Sequence, residues 1–479
     1  MTKKLQDIVT NRGPIQTIGV VGMGYVGIPS ALLFAESQYF TQVYGFQRDS
    51  ASSGFKIEML NQGISPLKGE EPGLQDLLVK VVHKGKFHCT SDFSRLQDCD
   101  AITIAIQTPF KNSADLEPDF SALFEGIRYA GRNITPGSLV VLESTITPGT
   151  TTGIAREILQ EESGLIAGED FCLAHAPERV MVGRLLQNIR EHDRIVGGID
   201  AVSTKRAVEL YTHVLTKGTI IPMTATAAEV TKTAENTFRD LQIAAANQLA
   251  LYCEAMGINF YDVRSGVDSL KGEGITRAIL WPGAGVGGHC LTKDTYHLER
   301  GVSVAQVESL DYPEGKQSLF TLARDINDFM PEHMVHLTAQ GLMRAGKTLK
   351  GATIALLGWA FLSDTDDARN TPAEQYYQIC VASGADVRVH DPWVHTYPGV
   401  EISDDLDAVV YGADVVVLFT GHRMYHSKLL VTLQKLVADN PVFVDGRNVV
   451  DPDLVIKAGF IYKGIGRGDK NNHQIERFE

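Results

Sequence analysis

The chain has 479 residues, more than one hydrophobic core usually organises, so two or three domains are expected. Hydrophobic residues make up 44% and charged residues 21%, an ordinary globular composition, and a formal net charge of −14 argues against nucleic acid or an anionic membrane as the main partner, because either needs a basic footprint. Met1 to Pro14 carry no apolar signal core and no run reaches the roughly 18–20 apolar residues that span a bilayer, which predicts a soluble cytoplasmic protein.

Short β-branched runs alternate with helix-length text over the first two hundred residues: Thr17–Val21, Val43–Phe46, Ala101–Ala105, Leu139–Glu143 and Arg194–Val196. That alternation predicts βαβ units in a parallel sheet. The first run leads straight into Gly22-Met23-Gly24-Tyr25-Val26-Gly27 and then into helical text, Ile28–Glu36. GxGxxG alone is a weak signal, but here it lies between strand and helix. Gly22 suits the tight turn, Gly24 lets the backbone approach a pyrophosphate, and Gly27 lets helix and strand pack closely. A dinucleotide cofactor is therefore expected. The second run ends in Gln47-Arg48-Asp49, with Gln47 where an acid usually bonds the ribose. An arginine there can meet a 2′-phosphate, so NAD is favoured with NADP left open.

From Ala227 to Met256 the text reads as one long helix stopped by Gly257. Glu229, Lys232, Asn236, Arg239, Ile243 and Asn247 fall at helical steps on one face, while Val230, Ala234, Phe238, Leu241, Ala245 and Leu249 are expected to pack into the core from another. The polar stripe is either a solvated surface or the lining of a polar cleft in which Lys232 and Asn236 hold an oxyanion. Next comes Trp281-Pro282-Gly283-Ala284-Gly285-Val286-Gly287-Gly288-His289-Cys290, too glycine-rich for a helix or strand. Cys290 at its end is a candidate nucleophile or a buried structural thiol. The other cysteines (Cys89, Cys99, Cys172, Cys253, Cys380) form no CxxC pair, so neither a metal site nor a disulfide framework is expected.

Helical text continues through Arg324–Met330 to about Ala345. A second βαβ series then follows at Thr353–Leu357, Val387–Val389, Val415–Leu418 and Val442–Val444. The expected architecture is two Rossmann-like, doubly wound parallel-sheet α/β domains, 1–205 and 346–479, joined by a helical centre, 206–345.

With these segments in place, the chain resembles the UDP-glucose/GDP-mannose dehydrogenase superfamily, the nucleotide-sugar 6-dehydrogenases. The resemblance rests on the glycine turn, Glu71-Pro72-Gly73-Leu74, Thr108-Pro109, Glu143 to Thr151, Ala176-Pro177-Glu178-Arg179, Lys232 with Asn236 and Arg239, Gly283 to Cys290 with Asp294, Thr365 to Arg369, and Asp445 to Asn448. It spans almost the whole chain. The resemblance implies an N-terminal NAD domain, a helical dimerising centre, and a C-terminal domain that binds the UDP-sugar. It also implies a four-electron oxidation in which Cys290 captures a C6 aldehyde.

On that basis Lys232 and Asn236 would stabilise oxyanions, and Glu178 and Asp294 would handle water, with Thr145 beside them. Gly22, Gly24, Tyr25, Val26, Gly27, Gln47, Arg48, Thr108 and Thr145 match cofactor contacts. Arg179, Val180, Lys232, Asn236, Arg239, Arg277, Gly288, Phe361, Arg369 and Arg447 match sugar-nucleotide contacts, the arginines suiting a diphosphate. Leu362 stands where the family often has lysine. The text from Pro177 to Val180 with Arg194–Gly198 looks most like the UDP-N-acetylmannosamine and UDP-N-acetylglucosamine branch, whereas Lys293-Asp294 looks more like the UDP-glucose branch. UDP-N-acetyl-D-mannosamine is the favoured substrate, and the resemblance implies a homodimer or larger homo-oligomer.

Overall fold

The computed structural model describes residues 2–67, 71–111, 117–269, 279–288, 291–304, 318–427 and 429–471. Cys290 and Arg277 lie outside the described residues. The chain forms two compact units, Met1–Glu235 with Lys293–Asp311, and Asn236–Thr292 with Tyr312–Glu479. The text read as a helical centre is therefore shared between them.

The first unit holds an eight-stranded sheet made of β1 (Thr17–Val21), β2 (Gln42–Phe46), β3 (Phe87–Thr90), β4 (Ala101–Ile104), β5 (Leu139–Leu142), β6 (Cys172–His175), β7 (Arg194–Gly198) and β8 (Ile220–Thr224). Its spatial order is β3-β2-β1-β4-β5-β6-β7-β8, whose first six strands follow the doubly wound dinucleotide order. β4 (Ala-Ile-Thr-Ile) and β5 (Leu-Val-Val-Leu) are buried at every residue, as a parallel sheet covered on both faces requires. The sheet departs from the uniformly parallel expectation at one pairing: β6 and β7 run antiparallel, with Ala174 opposite Gly198 and His175 opposite Gly197. β8 carries Pro222 and is mostly exposed, which suits a proline on an edge strand.

The second unit holds β9 (Thr353–Leu357), β10 (Asp386–His390), β11 (Ile402–Ser403), β12 (Val415–Leu418), β13 (Val442–Asp445) and β14 (Ile461–Gly464). They are ordered β11-β10-β9-β12-β13-β14 and every pairing is parallel. The same winding thus occurs twice.

The long helix runs Ala225–Met256, and Gly257 follows at φ 70°, the left-handed residue that ends it. Its orientation corrects the expected apolar packing face. Phe238 is 60% exposed, Val230 and Ala245 are exposed, and Ala234, Leu241 and Leu249 are half-buried. The buried face instead carries Glu229, Lys232, Thr233, Thr237, Asp240 and Asn247 among Ala228, Ala244, Ala246 and Ala250. Burial of Glu229, Thr233, Asp240 and Asn247 is tolerable because they are bonded. Asp240 accepts from Arg324 at 2.7 Å and from Asn327 at 2.8 Å, and Asn247 donates to Asn327 at 2.9 Å. Arg324 and Asn327 belong to the helix Leu319–Arg344, so a polar seam joins the two helices.

Candidate active site

In the first unit the glycine turn is built by three different constraints. Gly22 sits at φ 101° and donates to the Phe46 carbonyl at 2.9 Å; a Cβ there would lie 2.6 Å from the Ala105 oxygen. A Cβ on Gly27 would lie 1.8 Å from the Gly22 oxygen, so helix and turn touch backbone to backbone. A Cβ on Gly24 would meet nothing within 4 Å. That open backbone, at the start of a helix with no side-chain cap among the described residues, fits a pyrophosphate. Tyr25 and Val26 complete the turn, half-buried. Gln47 accepts from the Met23 N–H at 3.2 Å and donates to Ser53 at 2.9 Å, while Arg48 pairs with Glu125 at 2.6 Å. Gln47 therefore braces the turn that an acid would otherwise flank.

Beyond the turn, Thr108 donates to the Thr145 carbonyl at 2.8 Å, and buried Lys293 donates to the Thr108 carbonyl at 2.7 Å. The structure thus brings Thr108 and Thr145 together and adds Lys293, which the sequence offered as a marker of substrate branch. Asp294 beside it is fully buried. Glu229, buried on the long helix, accepts from the N–H groups of Gly149 at 2.6 Å and Thr151 at 2.8 Å and so holds the loop that follows Thr145. Burial pushes its carboxyl up, against the pull of those donors.

Lys232 lies one helical turn from Glu229 and is buried. Glu178 accepts the Arg179 N–H at 2.8 Å and pairs with Arg194. The Arg179 guanidinium reaches Glu235 at 3.3 Å and Val180 packs on the core.

In the second unit the glycine loop gathers the expected substrate contacts. Gly283 donates to Asn247 at 2.9 Å, and a Cβ on it would meet the Arg447 guanidinium at 2.8 Å. Gly287 and Gly288 press on Phe361, where added Cβ atoms would come within 2.5 Å and 2.9 Å. Gly288, at φ 92°, donates to the Arg369 carbonyl at 2.9 Å. Arg369 is held by Asp367 at 2.8 Å and Arg447 donates to the Phe419 carbonyl at 2.8 Å. Leu362 is exposed, Asn236 half-buried and Arg239 exposed. The five described cysteines are all buried, and burial pushes the thiols of Cys89, Cys99 and Cys172 up to about 12 and that of Cys380 to about 11.

Sequence models of the UDP-glucose/GDP-mannose dehydrogenase family match the chain in three parts: an NAD binding domain at residues 16–215, a central domain at 226–328 and a UDP binding domain at 355–452. A curated UDP-N-acetyl-D-mannosamine dehydrogenase from Pyrococcus horikoshii is 36% identical over 94% of this chain and 99% of its own. The crystal structure of an NDP-N-acetyl-D-galactosaminuronic acid dehydrogenase from Methanosarcina mazei Go1 is 67% identical, covers 98% of this chain and 99% of its own, and superposes with a TM-score of 0.90. A Ralstonia nicotianae protein of the latter name is 31% identical over 86% of this chain and 92% of its own. With two doubly wound sheets, a glycine turn shaped for a dinucleotide and these matches along its length, the chain belongs to the UDP-glucose/GDP-mannose dehydrogenase family and is an NAD-dependent nucleotide-sugar dehydrogenase.

Proposed function

We propose that the protein oxidises the C6 alcohol of UDP-N-acetyl-D-mannosamine to the carboxylate, in two steps, with Cys290 as covalent nucleophile. The observation that carries this reading is the state of the other thiols. Each described cysteine is buried with its thiol pushed up, which leaves Cys290, at the end of the loop that gathers Phe361, Arg369 and Arg447, as the thiol suited to react.

Bound NAD⁺ supplies hydride acceptance, once for the alcohol and once for the captured aldehyde. Lys232 and Asn236, i and i+4 on one helix, stabilise the negative oxygen on C6 at each stage. Cys290 adds to the aldehyde carbon and keeps it on the protein until it is a thioester. Glu178 and Asp294 take up and return the proton of the hydrolytic water, with Thr145 at the same edge. Arg179, Val180, Arg239, Arg277, Gly288, Phe361, Leu362, Arg369 and Arg447 are proposed to surround the sugar nucleotide.

A second substrate reading, UDP-N-acetyl-D-galactosamine, is favoured by the 67% identity to the Methanosarcina mazei protein. The deciding experiment is a panel of UDP-sugars scored for NADH. N-acetylmannosamine as best substrate, two NADH per sugar, and loss of turnover in Cys290→Ser are expected. One NADH per sugar, or full activity in C290S, rejects the covalent reading, and a preference for another epimer replaces the substrate.

The exposed line Phe238, Ala245, Tyr252 and Met256 on the long helix supports a homo-oligomer through that helix. Among the described residues no helix is long and apolar enough to cross a membrane. The proposed compartment is the cytoplasm, where the free thiols stay reduced.

A further inference from the structure

The one antiparallel pairing of the first sheet has a chemical consequence. In a parallel strand Arg194, the first residue of β7, would stand at the amino edge, away from the carboxyl edge where such sheets bind ligands. Because β7 runs against β6, its start lies at the carboxyl edge instead. His175 faces Gly197, so continuing that register three residues past the end of β6 and three residues back along β7 brings Glu178 level with Arg194.

There the Arg194 side chain, 4% exposed, makes four contacts. It pairs with Glu178, donates to Glu143 at 2.8 Å and to the Ala176 carbonyl at 3.2 Å, and lies over the Tyr211 ring at 4.2 Å. Tyr211 in turn donates its hydroxyl to Glu143 at 2.7 Å.

Two carboxylates therefore share one guanidinium. His175 does not supply a second cation, because burial and the charges of Arg194 and Lys232 drive its imidazole down to about 3. Burial also pushes the Glu143 carboxyl up, against the pull of Arg194. Glu143 is needed to orient the guanidinium rather than to neutralise it, since Glu178 alone would balance the charge. The planar fork permits this: one arm is locked on Glu143, the ring face on Tyr211, and the remaining arm is aimed at Glu178. Glu178 also accepts the N–H of its own neighbour Arg179 at 2.8 Å, so its carboxylate is gripped from both sides.

We propose that Arg194, set by Glu143 and Tyr211, is the positioning residue that aims the Glu178 carboxylate at the hydrolytic water. This rests on the proposed covalent reading and adds to it the means by which one proton acceptor is held. In the step concerned, water oxygen bonds to the thioester carbon as Glu178 takes its proton. The C–S bond then breaks, the electron pair goes to the Cys290 sulfur, and the product acid gives its remaining proton to solvent and leaves as the carboxylate. The proton on Glu178 passes to the thiolate or to solvent.

The test uses the full-length enzyme with NAD⁺ and the best UDP-sugar of the panel. Arg194→Lys keeps the charge but loses the fork, and Tyr211→Phe removes only the hydroxyl that orients Glu143. Misplacing a catalytic group is expected to slow its own step, so R194K should lower kcat at least about tenfold with no rise in KM. Both hydrides precede hydrolysis, so a burst of two NADH per active site should appear, with a sugar adduct on the protein detected by intact mass. Y211F should show the same pattern more weakly, and carries the test alone if R194K does not fold. Adding Glu178→Gln to R194K should slow it no further than E178Q alone.

A fall in kcat without burst or adduct, or a KM that rises in step, would mean Arg194 only supports the fold and would overturn the proposal. Unchanged turnover in a folded Y211F overturns the role given to Glu143. Failure of the covalent reading itself shows separately, as one NADH per sugar in the unaltered enzyme.

Discussion

Within one turn, Gly22, Gly24 and Gly27 differ in what a methyl group would meet, and they separate folding from binding. Gly27→Ala forces a Cβ onto backbone and should cost about 1–3 kcal/mol or more, read as a lower urea midpoint. Gly24→Ala meets open space; its stability should stay within about 0.5 kcal/mol while KM for NAD⁺ rises. An equal loss of stability in both would contradict the assignment of Gly24 to the pyrophosphate. Arg48 is tied to Glu125 in an exposed pair at 2.6 Å. Glu125→Ala should release it and raise kcat/KM for NADP⁺ several-fold, since such a pair is worth at most about 1 kcal/mol. An unchanged NADP⁺ preference would place Arg48 away from the ribose.

Between elements, the seam joining the long helix to Leu319–Arg344 is charged and buried. Arg324→Ala strands Asp240 without its cation and should cost about 3–5 kcal/mol, measured by urea unfolding. In the second sheet Asp391, after β10, accepts from the N–H groups of Ala360 and Val394 at 2.9 Å and bonds His422 at 3.2 Å. Burial pushes its carboxyl up, but His422 and the backbone donors outweigh it, and the net direction is down. A depressed folded value means this stabilisation is complete above the unfolded pKa of about 3.9 and is lost as pH falls through the folded one. The melting temperature should therefore drop below about pH 4, and Asp391→Asn should flatten that acid limb. The polar seam was only half legible in the sequence. Spacing placed Asn247 on the polar face but did not pick out Asp240, and their partners Asn327 and Arg324 are about eighty residues away, so no local pattern pairs them.

For the whole molecule, the exposed Phe238 stripe bears on assembly. Phe238→Lys should lower the mass seen by light scattering, and an unchanged mass would reject the proposed assembly through the long helix. Both sheets were legible as alternating runs, because parallel strands covered on two faces must be continuously apolar. Five strands were not read: β3, β6, β8, β11 and β14. β11 has two residues and β8 is an exposed edge with a proline, so neither carries a clear pattern.

Sequence alone determined the family and located the parts proposed to carry its chemistry: the glycine turn, the Lys232–Asn236 stripe and the glycine loop ending at Cys290. These are local, since a turn, a helical step or a loop needs its residues at short fixed spacing. The tertiary structure decided what distance along the chain conceals. It turned the long helix so that polar groups face inward and Phe238 outward, because the groups able to satisfy Glu229, Asp240 and Asn247 come from remote segments. It also reversed β7, and strand direction follows from pairing rather than from the strand's own residues. That reversal brings Arg194 to Glu178 and Glu143.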